Sequence, residues 1–433
     1  MDRNEAAPSR RDNIMNKKKK TILEDVTNFY LSSGDYNGKP LHEIEVNNEF
    51  IKQIFELVKE ELIYVNYGDR HPNPHILAFE PESMNEQLKK ISIDGVKQAC
   101  LYPTSKHLET VINKKDYRGK PFELMLALGE AQLSFKSFDL TVLEQYRNDP
   151  RYEYECDDIH GNLYYSEEFR ENGELHKKDS VFIQHFSFSY TPNLTKRAVA
   201  VFLRYLTDLT PEHQQHWFNK ILDDKYFLHP SYAKSSMGSW DFNESIFNAF
   251  IEELNQINTM TDLMGKPSLF RKKYSRETRP KDFSFLIRPT LKEFNDFIQT
   301  LDKLMSDNLN KAFFKGDISL QREDDLGNRK VKITEKGTIS LLEEWLQRVQ
   351  FQGQDPKVEA IKTFRKVRKL RQKPAHAINE NEFNQKYFTQ QRKLVIEAYK
   401  AIRALRLILA NHPRVINYKG VPEWLYKGEI STF

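Results

Sequence analysis

The feature that most restricts the fold lies in the last third of the chain, where apolar residues recur at helical spacing through four successive segments. In "LKEFNDFIQTLDKLMSDNLNKAFF", Phe294, Phe297, Ile298, Leu301, Leu304, Met305, Leu309, Ala312 and Phe313 fall on one stripe. "GTISLLEEWLQRV" predicts a second helix. A third opens after Asp355-Pro356, an N-cap and first-turn pair, and carries Val358, Ile361, Phe364, Val367 and Leu370. The last, "FNQKYFTQQRKLVIEAYKAIRALRLILA", runs until Asn411-His412-Pro413 stops it. Four amphipathic helices with short links bury their stripes together as an antiparallel bundle. Between the first two, "DISLQREDDLGNRKVKIT" predicts a β-hairpin with Gly327-Asn328 at its turn.

A chain of 433 residues exceeds one ordinary core, so the expected class is α+β multidomain. Residues 1–20 ("MDRNEAAPSRRDNIMNKKKK") read as a disordered basic arm, since no apolar stretch follows to make a secretory signal. Residues 21–115 read as a small α+β domain, or a winged helix. In it "NNEFIKQIFELVKEELIYV" puts Phe50, Ile51, Ile54, Phe55, Val58 and Leu62 on one helical face, and "YVNYG" and "HILAFE" are the expected strands. Residues 116–285 read as α+β with more strand. "RYEYECDDIHGNLYYSEEF" gives two strands around "HGN", and "SVFIQHFSFSY" alternates as a third. "TKRAVAVFLRYLTDL" and "TPEHQQHWFNKIL" are expected as helices, the second with Thr210 as N-cap and Pro211 behind it. The bundle occupies 286–413, and 414–433 form a tail that packs back through Trp424 and Leu425 or serves a partner.

Hydrophobic residues make up 39% and charged ones 30%, enough to fill ordinary cores, and the net charge of +4 does not by itself demand a polyanion. No apolar run approaches the roughly 20 residues that span a bilayer, so no membrane partner is expected. Cys100 and Cys156 are the only cysteines, which excludes a disulfide framework and fits a reducing cytoplasm.

The candidate chemistry sits in "RKVRKLRQKPAHAI". Pro374 disfavours helix at Lys373, which leaves Arg371 on the final turn and His376 just beyond it. From Lys362 to His376 there are seven lysines and arginines and no acid. Cations in a last turn complement the helix dipole, and a solvated helix end explains several of them. An arginine followed by a histidine five or six positions on recurs at Arg70 and His75, Arg170 and His176, and Arg406 and His412, so only the setting of Arg371 and His376 singles them out.

A helical bundle whose last junction carries Arg371-Gln372-Lys373-Pro374-Ala375-His376 resembles the HEPN superfamily, and the layout is similar to phage-defence proteins of the ApeA type. The resemblance covers residues 289–413 and leaves the first 285 unmatched. It implies a metal-independent endoribonuclease of bacterial defence or toxin systems, acting on RNA, in which two copies of the motif share a cleft in a homodimer. His376 would then serve as general acid or base, and Arg371 would stabilise charge on the scissile phosphate. Gln372 fills the polar position after the arginine, and Lys373, Lys369 and Arg368 would hold the RNA backbone. Pro374 departs from the family pattern. Glu343 and Glu344 would orient Arg371 or lie on a solvated face. A catalytically silent nucleic-acid-binding protein and a dimeric adaptor remain the alternative classes, and a regulatory protein partner is compatible with either.

Other patterns point elsewhere. His213 and His216 have the i, i+3 spacing of helical metal ligands but no evident third ligand. Glu155, Asp157, Asp158 and His160 gather in "ECDDIHGN", as a nuclease metal site or as a polar turn. No phosphate-binding glycine loop and no nucleophile elbow is present, and no cofactor or metal is expected.

Overall fold

A computed structural model describes residues 10–42, 44–171, 176–239, 243–325, 331–349, 356–372 and 380–433. The fold is mixed α+β and divides into two compact units, Met1–Ser189 with Ala198–Trp240, and Tyr190–Arg197 with Asp241–Phe433.

The first unit opens on a helix, Arg10–Ser32, where a disordered arm was expected up to residue 20. Val26 and Tyr30 on its second half are buried, and Lys18 pairs with Glu49 at 2.7 Å. Once that half is anchored, each added residue extends an existing helix instead of nucleating one, and lysine is a good helix former. The helix Asn48–Lys59 is capped by the Asn47 side chain and buries Ile54, Leu57 and Val58. Beside it lies a three-stranded antiparallel sheet in the order Lys39–Pro40, Cys100–Pro103, Ile63–Asn66. "HILAFE" forms no strand. The Asn66 amide donates to the Pro74 and Ile76 carbonyls, and Leu77 N donates to the Gln132 side chain, so side chains hold this segment as a loop.

The larger sheet of this unit runs Phe135–Phe138, Arg197–Phe202, Phe182–Tyr190, His160–Tyr165, Tyr152–Cys156, with Phe227–Leu228 pairing to Phe182–Tyr190. "TKRAVAVFL" was expected as a helix and is instead the strand Arg197–Phe202. Ala198, Val199, Ala200 and Val201 are all buried, and burial on both faces erases the alternation that marks a strand in sequence. The hairpin around Asp157 forms as expected, but its turn lies at Asp157–Ile159 and "HGN" belongs to the strand. The helix Pro211–Phe218 starts after Thr210, whose hydroxyl donates to the Lys178 carbonyl.

In the second unit the long helices are Ile246–Leu263, Leu291–Met305, Thr338–Gln347, Pro356–Gln372 and Lys386–Ala410. The first of them lies before the expected boundary at 285. It belongs here because its face packs along Lys386–Ala410 and Phe247 meets the rings of Phe283, Phe285 and Phe297. The stripe through Phe294, Ile298, Leu301, Met305, Leu309 and Phe313 is buried as the spacing predicts, but Ala312 is exposed. The helix itself stops at Met305 and a short one, Lys311–Phe314, restarts under an Asn310 cap. Val358 is 62% exposed, off the buried face of its helix. The hairpin pairs Gln321–Asp325 with Val331–Glu335. Its expected Gly327-Asn328 turn, and the expected Asp355 cap, lie outside the described residues. The tail packs back: Leu425 is buried, and Ile430–Ser431 pairs in parallel with Glu244–Ser245. No helix among the described residues is long and apolar enough to cross a membrane.

Candidate functional site

The helix Pro356–Gln372 turns Ala360, Ile361, Phe364 and Val367 inward, which leaves its basic residues on the other face. The run has no acid of its own beyond Glu359, yet most of its cations are paired from other elements. Arg365 bonds Glu343 and Lys366 bonds Glu397. Lys362 lies 3.3 Å from Glu359. Lys369 and Gln372 are exposed, and Lys369 forms no ion pair among the described residues. Lys373 and His376 lie outside the described residues.

Arg368 and Arg371 are neighbours on the helix surface, and both converge on two carboxylates. Arg371 Nη1 donates to Asp302 Oδ2 at 2.7 Å and to Asp307 Oδ2 at 2.6 Å. Arg368 Nη2 donates to Asp307 Oδ1 at 2.7 Å, and its Nε lies 3.2 Å from Asp302 Oδ2. Asp307 therefore bridges the two guanidiniums with one oxygen each, while Asp302 sits beneath them. The Asp302 side chain is 0% exposed and that of Asp307 is 41% exposed. Asp302 Oδ1 and Ser306 Oγ, both buried, have no hydrogen-bond partner among the described residues.

The backbone around the acids is fixed. Ser306 N and Asp307 N both donate to the Asp302 carbonyl, and the Thr338 hydroxyl donates to the Ser306 carbonyl. Asn308 is laced to Lys272 through its side chain, and its carbonyl accepts from Arg271 N. Burial pushes the Asp307 carboxyl up, but hydrogen bonds from Arg371 and Arg368 outweigh this and hold it below the usual carboxylate range. Its hydrogen bonds to Asp302 and Asp307 raise the Arg371 guanidinium. It stays charged, in a fixed orientation, at the helix end.

Glu343 and Glu344, read as orienting Arg371 or as a solvated face, bond Arg365 and Lys336. The acids that orient Arg371 are ones the sequence reasoning passed over. A signal existed: Asp302 follows Ile298 by four residues and precedes Met305 by three, a carboxylate on an otherwise apolar stripe.

Several of the other patterns have structural roles. Arg406 forms a buried pair with Glu253. Arg70 donates to the Glu80 carbonyl and lies over the Phe79 ring. His213 Nδ1 and the Tyr146 hydroxyl are 2.9 Å apart, and burial pushes the His213 imidazole down to about 4. His216 Nε2 donates to the Val142 carbonyl. Asp157 accepts from the Ile159 and His160 amides and pairs with His160 Nδ1, a turn-capping role in which the imidazole's bond to Asp157 raises it. Among the described residues, no three or more His, Cys, Asp or Glu side chains gather as a metal site.

No protein-family model matches this chain, and neither a curated protein nor a solved structure matches it.

Proposed function

We propose that the second unit is a metal-independent endoribonuclease of the HEPN type, acting in a reducing cytoplasm as a homodimer on RNA. In this reading His376 removes the proton of a 2′-hydroxyl, whose oxygen attacks the adjacent phosphorus. The 5′-oxygen leaves with a proton from an acid, so the products are a 2′,3′-cyclic phosphate and a free 5′-hydroxyl. Arg371 stabilises the charge that builds on the phosphoryl oxygens. Lys369, Gln372 and Lys373 contact the flanking backbone.

The observation that supports this most is the preorganised Arg371. Its guanidinium is held by the fully buried Asp302 on the helix's last turn, five residues before His376. A cation oriented before substrate arrives spends no reorganisation at the moment of reaction. The test is RNA cleavage by the purified protein in EDTA, with the new ends identified. Cyclic-phosphate ends that disappear in both Arg371→Ala and His376→Ala are the expected result. Cleavage that persists in both variants would move the chemistry elsewhere.

A second reading is favoured by one specific observation: Arg365, Lys366, Arg368 and Arg371 already have carboxylate partners. A catalytically silent binding protein or dimeric adaptor suits that pairing. RNA affinity at low salt without cleavage identifies the first, and no affinity identifies the second.

A further inference from the structure

We infer that Asp307 is a built-in surrogate for the RNA phosphate, which holds Arg368 and Arg371 in a latent state until substrate displaces it. The inference rests on the ribonuclease reading for the identity of the displacing ligand, and on the Asp302–Asp307 geometry for the rest. Asp307 places one carboxylate oxygen on each of two neighbouring guanidiniums, at 2.7 and 2.6 Å. Two oxygens of one anion spanning two arginine forks is also how a phosphodiester is gripped.

The two acids are unequal in a way that assigns their roles. Asp302 has no exposure, and removing it would strand two guanidiniums over a buried surface. Asp307 is 41% exposed, and its pairs compete with water and salt, so a phosphate can take its place at small cost. The displacement needs no backbone rearrangement. Residues 306–308 are fixed by the Asp302 carbonyl, Thr338 and Lys272, so only the Asp307 side chain has to swing. Charge agrees: two arginines and two aspartates sum to zero in the latent state, and RNA restores neutrality over Asp302 once Asp307 turns away. Without Asp307 the pair would carry one net positive charge facing solvent.

The test measures binding of a fluorescein-labelled single-stranded oligouridine by anisotropy in EDTA across a salt series, for wild type, Asp307→Asn and Asp307→Ser. Both variants are expected to bind about fivefold tighter. Their log-affinity against log-salt slope should steepen by roughly 0.7, for the one phosphate that the freed pair takes on. Affinity and slope equal to wild type in both variants would overturn the inference. So would loss of folding in both, read by thermal melting, because Asp307 would then be a structural brace. Cleavage read on the same samples separates the two ideas. Cleavage with no gain in affinity removes the surrogate alone, and a gain in affinity with no cleavage removes the ribonuclease reading alone.

Discussion

Two arginines in the second unit are followed by a histidine at nearly the same spacing, and they have opposite fates. Arg406 lies inside the interface between Ile246–Leu263 and Lys386–Ala410, bonded through Nε and Nη2 to Glu253, with side-chain exposures of 4% and 0%. Arg371 lies in the last described turn of its helix, bonded to one buried and one half-exposed acid. Both guanidiniums have carboxylate partners, so pairing alone does not distinguish a core brace from a candidate site. Access does. No ligand reaches Arg406 without opening the interface, whereas the Arg371 side chain is 31% exposed beside Asp307.

The contrast makes graded predictions. The largest effect belongs to Arg406→Met, which leaves Glu253 buried without its counter-charge and should lower stability by about 3–5 kcal/mol in denaturant melts. A loss under 1 kcal/mol would mean that water already reaches the pair. Asp302→Asn comes next. The amide keeps the shape but not the charge, and with Asp307 still in place the loss should be roughly 1–3 kcal/mol. Asp307→Asn should cost less than about 1 kcal/mol, since its pairs are partly solvated. Equal losses at 302 and 307 would erase the distinction between anchor and surrogate.

The smallest signal is in protonation. Burial raises the Glu253 carboxyl, and Arg406 only partly offsets it, while Asp307 ends below its usual range because the two arginine bonds outweigh its burial. A carboxyl depressed on folding binds fewer protons in the folded state. The stability Asp307 contributes is therefore present above its unfolded value of roughly 4 and lost as pH falls through the folded one. A carboxyl raised on folding does the reverse, so Glu253 favours the folded state more as pH falls. Carboxyl-carbon titrations by NMR should show Glu253 above, and Asp307 below, their ordinary values. Displacement in the same direction would contradict the contrast.

Local patterns carried much of the fold. The helix start at Pro211 follows from proline's fit to a first turn, and the buried stripe of Leu291–Met305 from helical spacing, whereas Pro374, expected to end the basic helix, lies outside the described residues. What escaped is non-local. Arg197–Phe202 reads as a helix because both of its faces are apolar, and only its strand partners make it a strand. The helix from Arg10 is anchored by the burial of Val26 and Tyr30, with Glu49 and Glu60 alongside Lys18 and Lys19. The acids that define the candidate site are 69 and 64 residues from Arg371 in the chain, beyond the reach of any local motif. Their only trace is one aspartate on an apolar stripe.

The decisive measurement is the single-turnover rate of RNA cleavage in EDTA for wild type, Arg371→Ala and Asp307→Asn, with folding of each checked by melting. Cyclic-phosphate cleavage that is lost in Arg371→Ala and faster in Asp307→Asn at limiting RNA is the expected result. An Arg371→Ala protein that cleaves at the wild-type rate would contradict it, and would put Arg371 beside Arg406 as a structural brace.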